Sequence, residues 1–176
     1  TKRRLAAEWE KQSAVLFALP KVGTDWDDQL DEILFCYKEM LEVLLPDQMV
    51  VLICPSKENA CTSLGWTEKP ENLLLIEVDY NDTWIRDYGP LSVFEGIDKV
   101  WMDYHFNAWG LKFAANYDNK ITSFLHGVLR TKKVRLELSP LCLEGGAIES
   151  DGHGTVLLTT QTVVDHNRNP SWGKLK

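Results

Sequence analysis

Two uninterrupted apolar runs, "QMVVLIC" (48–54) and "NLLLIEVDY" (72–80), constrain the fold of this chain most strongly. Both have the length of a strand, and their continuous apolar character is typical of strands that are covered on both faces. Before the first run, apolar residues recur every three or four positions between Leu30 and Leu44, which predicts an amphipathic helix that Pro46 ends. The sequence therefore predicts a mixed α/β protein.

The other apolar segments complete the predicted order β-α-β-α-β-β-β-α-β-β-β, with short connections between the elements. Strands are predicted at 13–20, 90–95, 99–106, 133–138, 141–148 and 155–159, and helices at 56–64 and 119–130. The strands on either side of Gly96 have the pattern of a hairpin, and "ESDGHG" (149–154) has that of a hairpin turn. Because no low-complexity linker divides the chain, residues 1–176 are predicted to form one domain.

Composition limits the partners and the compartment. The net charge of −7 argues against a nucleic-acid surface and fits a small cationic ligand. No apolar run approaches the roughly 20 residues of a membrane-spanning helix, so no membrane partner is expected. The four cysteines have neither a C-x-x-C pair nor zinc-site spacing, which predicts no metal site and a reducing, cytoplasmic setting. We expect Cys36, Cys54 and Cys142, which lie in apolar stretches, to be buried thiols.

The stretch "NDTWIRDYGP" (81–90) presents polar groups directly after the second apolar run. Carboxylates just beyond a buried strand lie where loops open onto a site. Asp87 has a planar carboxylate that can take a guanidinium in two parallel bonds, and the indole of Trp84 can cover the flat face of that cation. The two side chains converge only if the chain bends between them. The alternative is an ion pair of Arg86 with Asp87 or Asp82, with Trp84 in the core.

Glu144 is predicted inside the strand at 141–148, and the two glycines after it permit a bulge or a close backbone approach. A carboxylate there costs free energy unless it is paired or used. It is therefore either a functional acid or the cap of nearby backbone N–H groups. In "FNAWGLKF", two interpretations of Asn107 and Trp109 remain. Both residues line the mouth of a pocket, or Asn107 forms a turn and Trp109 packs in the core. Asn169-Pro170 is predicted to begin a helix or turn.

Taken together, these stretches resemble the agmatine deiminase and bacterial-type peptidylarginine deiminase family. The segments "AEWEKQSAVLFALP", "NDTWIRDYGP", "FNAWGLKF", "LEGGAIESDGHGTVLLT" and "NRNPSW" follow the family's order through nearly all of the chain. The W-x-R-D-x-G-P and E-G-G-x-I-x-x-D-G motifs are specific in combination. The resemblance implies the pentein fold, an α/β propeller of five β-β-α-β modules. This chain would be the N-terminal part, about half, of that single catalytic domain.

The resemblance also implies residue roles. Asp87 resembles the family acid that grips the guanidinium nitrogens, Trp84 the aromatic residue that lines the substrate slot, and Glu144 the acid beside the catalytic histidine. Family members use a cysteine nucleophile and a histidine, without a metal or cofactor. Here no histidine is followed by x-Asp and no cysteine follows Cys142, so the chain by itself is expected to be inactive.

The implied function is hydrolysis of agmatine to N-carbamoylputrescine and ammonia, a step toward putrescine, with homo-oligomerisation left open. Deimination of arginine or peptidylarginine is the alternative within the family. A substrate with a carboxylate favours an arginine clamp, and the absence of arginine between Arg86 and Arg130 favours agmatine instead. A non-catalytic guanidine-binding fragment is the alternative from another class.

Overall fold

The computed structural model describes residues 2–129 and 133–172, and the chain divides into two compact units. One unit, Lys11–Ile85, is continuous in sequence. The other is discontinuous and combines the described residues before Lys11 with those after Ile85. The prediction of a single catalytic domain over 1–176 stays a prediction.

The elements follow the mixed α/β pattern that the sequence predicts. The strands are β1 (Arg3–Leu5), β2 (Val15–Ala18), β3 (Val50–Cys54), β4 (Leu73–Glu77), β5 (Leu91–Glu95), β6 (Asp98–His105), β7 (Val134–Cys142), β8 (Ile148–Ser150) and β9 (Val156–Leu158). The α-helices are α1 (Leu30–Leu44), α2 (Lys57–Ser63), α3 (Ile85–Tyr88), α4 (Ala108–Leu111), α5 (Ile121–Val128) and α6 (Thr160–Val164). Single 3₁₀ turns lie at Asp27–Gln29, Asp118–Lys120 and Gly145–Ala147. No helix within the described ranges has the length and apolar character needed to cross a membrane.

The continuous unit is built around β3, which lies between β2 and β4 in a parallel sheet. Every residue of β3 is buried, as its uninterrupted apolar run predicts. Leu41 and Leu45, in and just after α1, and Leu64, just after α2, join Leu52 of β3 in the core of this unit. The strand β4 is an edge strand of this sheet, so Leu74 stays 41% exposed despite the same apolar pattern.

The discontinuous unit contains a sheet in the order β1-β5-β6-β7. The predicted hairpin of β5 and β6 is confirmed, with antiparallel register through Val93 and Val100. The short strand β1, which the sequence did not reveal, pairs antiparallel with β5 so that Arg3 faces Glu95. The strand β7 runs parallel to β6, and their register shifts between Tyr104 and His105.

The predicted strand over 141–148 is wrong. The strand β7 continues to Cys142, and the chain then leaves the sheet through the 3₁₀ turn at Gly145–Ala147 before the short strand β8. The hairpin turn after β8 is confirmed: β8 and β9 are antiparallel, and Asp151 accepts the N–H groups of His153 and Thr155 at 2.8 and 3.0 Å. These bonds lower the pKa of Asp151 to about 2. The predicted end of the helix at 119–130 includes Arg130, which lies outside the described residues.

We predict that Leu52→Ala destabilises the protein much more than Leu74→Ala. Leu52 is fully buried, so its truncation removes apolar burial and leaves a cavity, at about 2–5 kcal/mol of unfolding free energy. Leu74, on the edge strand, is the matched control and should cost about 1 kcal/mol or less. Denaturant unfolding followed by circular dichroism measures both, and equal losses would contradict the placement of β3 at the centre of the core.

Candidate functional site

The carboxylate of Asp87 is held by two N–H donors in the discontinuous unit. Asp87 lies on the one-turn helix α3. Its Oδ1 accepts the backbone N–H of Gly146 at 2.9 Å, and its Oδ2 accepts the indole N–H of Trp109 at 2.9 Å. A carboxylate has about four lone-pair positions, so two bonds fix its plane and leave acceptor positions on both oxygens. Asp87 is thus oriented and still able to receive a planar cation.

The alternative ion pair of Arg86 with Asp87 or Asp82 is not the arrangement that the structure contains. The guanidinium of Arg86 pairs instead with Glu8. The carboxylate of Asp82 accepts the N–H of Thr83 at 2.6 Å. The geometry therefore favours the interpretation of Asp87 as an oriented acceptor over that of a surface ion pair.

Trp109 reaches Asp87 from a left-handed turn. All four residues of α4 have positive φ: Ala108 at 50°, Trp109 at 57°, Gly110 at 85° and Leu111 at 67°. For residues other than glycine this conformation costs about 1–2 kcal/mol each, so neighbouring bonds must maintain it. Asn107 does so, since its Oδ1 accepts the N–H of Gly110 at 3.0 Å. Asn107 therefore caps the turn, which is one of its two predicted roles, and Trp109 donates to Asp87; a place for Trp109 at a pocket mouth stays a prediction.

Glu144 lies between the end of β7 and the 3₁₀ turn, with only 3% of its surface exposed. Its Oε1 accepts the Nε–H of Arg168 at 2.7 Å. A buried carboxylate is expensive without a counter-charge, and Arg168 supplies one. The predicted carboxylate cap of backbone N–H groups is thus replaced by an ion pair with a residue 24 positions away.

Arg168 belongs to the segment Asp165–Asn169, which is bound to the end of β7 and to the left-handed turn. Asn169 donates to the carbonyl of Cys142 and accepts its N–H, both at 2.9 Å. Asn107 donates to the carbonyl of Asn167 at 2.8 Å. Burial opposes the charge on Arg168, but Glu144 and Asp165 outweigh it, so the pKa of Arg168 lies above its ordinary value. Asn169, at the predicted turn, therefore attaches the segment that carries Arg168 to the end of β7.

The two glycines that follow Glu144 let the backbone there pack closely against Arg86 and Asp87. A Cβ on Gly145 would lie 2.3 Å from the carbonyl oxygen of Arg86, and a Cβ on Gly146 would lie 2.3 Å from Oδ1 of Asp87. Only glycine permits these approaches, which confirms the close backbone approach predicted for the two glycines after Glu144. Because Gly146 also donates its N–H to Asp87, the two predicted acids belong to one connected arrangement.

Trp84 is part of the continuous unit. Its indole is 47% exposed and lies 6.0 Å from the ring of Trp26, with the planes tilted by 36°. Trp26 is fixed by an indole N–H bond of 2.9 Å to the hydroxyl of Thr83. The exposure excludes the alternative of a core role for Trp84 and leaves an aromatic face available, although its predicted part in substrate binding stays a prediction.

The cysteines of the described chain differ from their prediction in one case. Cys54 and Cys142 are buried as expected, and burial raises the pKa of each thiol to about 11, so neither is a nucleophile at neutral pH. The expectation for Cys36 is wrong, because it lies on the exposed side of α1. Among residues 2–129 and 133–172, no three His, Cys, Asp or Glu side chains converge as metal ligands would.

Sequence reasoning missed Arg168 and Asn169 as parts of the site and left Trp109 undecided. The signal for Arg168 is indirect: a carboxylate predicted to be buried needs a cation, and the sequence offers several arginines without saying which one folds beside it. The signal for Trp109 is "NAWG", in which a glycine follows a tryptophan and a capping asparagine precedes it. Neither signal identifies the partner.

Comparison with known proteins shows that the chain is similar to deiminases. The sequence pattern of the Porphyromonas-type peptidyl-arginine deiminase family matches residues 4–176. Agmatine deiminase of Pseudomonas aeruginosa is 28% identical over 176 residues, covering 95% of this chain and 46% of that protein. A Pectobacterium atrosepticum protein provisionally named agmatine deiminase is 30% identical over 176 residues, covering 97% of this chain and 46% of that protein.

Solved structures give the same result. C. jejuni agmatine deiminase with substrate bound superposes with a TM-score of 0.85 and 33% identity, covering 96% of this chain and 49% of that chain. Agmatine deiminase of Enterococcus faecalis has a TM-score of 0.82 and 25% identity, covering 96% of this chain and 46% of that chain. These neighbours have the pentein fold, so the predicted fold class is confirmed. The chain spans about half the length of the relatives it matches.

We predict that Gly145→Ala mainly lowers stability, whereas Gly146→Ala mainly disturbs the orientation of Asp87. Gly145→Ala should lower the unfolding free energy by about 1–3 kcal/mol, because the obstacle is a backbone carbonyl that cannot rotate away. Gly146→Ala should cost less, because the Asp87 side chain can rotate and lose its orientation instead. Gly127→Ala is the matched control: it lies in α5 with open space around it and should be neutral or stabilising by up to about 1 kcal/mol. Denaturant unfolding ranks the three, and a Gly146→Ala loss larger than that of Gly145→Ala would contradict this assignment.

Proposed function

The chain belongs to the Porphyromonas-type peptidyl-arginine deiminase family, and from this premise we propose that its natural protein hydrolyses agmatine to N-carbamoylputrescine and ammonia. Relatives named agmatine deiminase support the choice of substrate, as does a related agmatine deiminase structure with substrate bound. Because the chain spans about half the length of these relatives, the proposal concerns the complete natural protein.

The observation that carries the proposal is the orientation of Asp87. Its two N–H donors fix the carboxylate plane while each oxygen keeps acceptor capacity, which suits a guanidinium that offers two parallel N–H bonds. Because both donors are neutral, the negative charge of Asp87 stays available to a cation. Glu144, by contrast, already has a cationic partner in Arg168.

Glu144 is proposed as the second acid, which would polarise the guanidinium as its charge shifts in the transition state. Its orientation is fixed by Arg168, and its burial in a water-poor environment strengthens its field. Trp84 is proposed, on the family resemblance, as the aromatic wall of the substrate slot.

The covalent chemistry needs a cysteine and a histidine that this sequence does not match. In the proposed reaction a thiolate attacks the guanidinium carbon, a protonated nitrogen leaves as ammonia, and water then cleaves the amidino-thioether, giving the carbamoyl product and restoring the thiol. The raised pKa values of Cys54 and Cys142 make these buried thiols unsuitable for the attack. We therefore assign the nucleophile and its histidine to the rest of the natural protein.

Arginine and peptidylarginine are the alternative substrates. Both would benefit from an arginine that binds a substrate carboxylate or backbone carbonyl. Arg86 is engaged by Glu8, and Arg168 by Glu144 and Asp165, so these arginines already have carboxylate partners. This favours agmatine, which carries no carboxylate. A non-catalytic guanidine-binding protein is the second candidate, and measured turnover separates it from a deiminase. The free cysteines fit the proposed reducing, cytoplasmic setting.

We predict that Asp87→Asn in the full-length protein lowers kcat/KM for agmatine by about 30- to 5,000-fold, the scale of losing one partner of a desolvated charge pair. The new amide presents N–H groups to the N–H groups of the substrate. Ammonia release measures turnover, and circular dichroism gives the thermal midpoint. Asp98→Asn, at the exposed start of β6, is the matched control and should leave both unchanged. Normal turnover by Asp87→Asn together with a lowered midpoint would show that Asp87 serves stability alone.

We predict that Glu144→Gln keeps the shape of the side chain but lowers kcat by at least about 100-fold, because it removes the negative charge that favours a protonated histidine and the cationic substrate. Glu137→Gln is the matched control, since Glu137 also pairs with an arginine, Arg3, on the sheet surface. Steady-state kinetics on both variants decides the matter. Equal and small effects would return Glu144 to a purely structural role.

A further inference from the structure

The contacts around the two acids form a closed ring. Glu144 binds Arg168, and the guanidinium of Arg168 lies against the left-handed turn at Gly110. Trp109 in that turn donates to Asp87, and Asp87 accepts from Gly146, two residues after Glu144. Each step is a hydrogen bond, a backbone connection or a close packing contact. We call these six residues the contact ring: Glu144, Arg168, Gly110, Trp109, Asp87 and Gly146.

Arg168 is the member of the contact ring that contacts both Glu144 and the left-handed turn. Its Nε binds Glu144 at 2.7 Å, while its Nη1 lies 3.5 Å from Oδ1 of Asp165. A Cβ on Gly110 would lie 3.2 Å from that same Nη1 and 3.3 Å from the Asp165 oxygen. Only 15% of the Arg168 side chain is exposed. Its planar fork is therefore fixed against the carboxylate on one side and the turn on the other.

The packing of Arg168 on Gly110 supports the left-handed turn. Three of its four residues are not glycine and hold positive φ, so the turn persists only while its surroundings enforce it. The enforcing contacts come in part from the turn itself, where Asn107 accepts the N–H of Gly110, and in part from the segment Asp165–Asn169, through the Asn107 bond to Asn167 and the packing of Arg168 on Gly110. Loss of Arg168 removes one side of that enclosure and frees Trp109, the donor to Asp87, to move.

The geometry points to Arg168 as a positioning residue that orients Glu144 directly and Asp87 through the left-handed turn. This inference rests on the proposed function in one respect, namely that both acids act on a guanidinium substrate. Arg168 itself is not assigned contact with the substrate. The competing interpretation is that its guanidinium occupies Glu144 in place of the substrate, as an internal competitor.

A double-mutant cycle in the full-length protein tests the inference. Arg168→Ala should lower kcat/KM for agmatine by about 100-fold, the scale of a misplaced catalytic group, chiefly through kcat. In a Glu144→Gln background the same change should cost several-fold less, because Arg168 acts partly through Glu144. Arg168→Lys should recover part of the loss by restoring a charge and one donor. Arg135→Ala, which removes an exposed arginine paired with Glu95 and Glu137, is the matched control and should have no kinetic effect in either background.

Two kinetic outcomes would overturn the inference. A lower KM with undiminished kcat in Arg168→Ala would show competition rather than positioning. Equal losses for Arg168→Ala with and without Glu144, and no recovery by lysine, would show a general effect on folding. If the unsubstituted protein hydrolyses neither agmatine nor arginine, the proposed function fails, and the crystal structure of Arg168→Ala then decides the inference alone. Displacement of both the Glu144 carboxylate and the Trp109 indole supports it, and unchanged positions refute it.

Discussion

A buried carboxylate needs a compensating partner, and for Glu144 in the discontinuous unit that partner is the guanidinium of Arg168. Moving either ion out of water costs several kcal/mol, so the pair persists only because its geometry is held from outside. The holding contacts come from three directions: Asp165 on the guanidinium, Asn169 on the end of β7, and the turn at Gly110. The chain after α6, the end of β7 and the strained turn therefore all meet at this ion pair.

Strain and order are linked at the left-handed turn. A conformation that costs about 1–2 kcal/mol for each residue other than glycine is rarely retained unless it places a side chain that no relaxed turn could place. Here the side chain is the indole of Trp109, which reaches Asp87 and packs edge-on against Phe106 at 5.3 Å. The bond to Asp87 uses the only polar atom of the indole, so the tryptophan contributes both apolar packing and a directed donor.

The sequence predicts this fold well wherever a pattern is local. The period of α1, the apolar run of β3 and the β5–β6 hairpin each depend on residues that are neighbours in the chain, and all three are confirmed. The motifs also identify Asp87 and Glu144 as unusual acids. The features that the sequence does not predict depend on long-range contacts. The strand β1 pairs with β5 across about 90 residues, and Glu144 pairs with Arg168 across 24. The four positive φ angles of α4 have no recognisable sequence pattern. Such partners are selected by tertiary packing, which no single segment encodes.

Because one unit is discontinuous in sequence, its strands become available for pairing at different times during synthesis on the ribosome. The continuous unit has all its strands once residue 85 has been made, so its sheet can form while synthesis proceeds. The strand β1 has its partner β5 only after residue 95, which at about 5–20 residues per second is a delay of seconds. During that interval Arg3, Arg4 and Leu5 remain outside any sheet with their backbone hydrogen-bonding groups open. The nascent chain therefore carries an unpaired strand segment on the N-terminal side of the continuous unit, and the charges of Arg3 and Arg4 discourage its association with another edge.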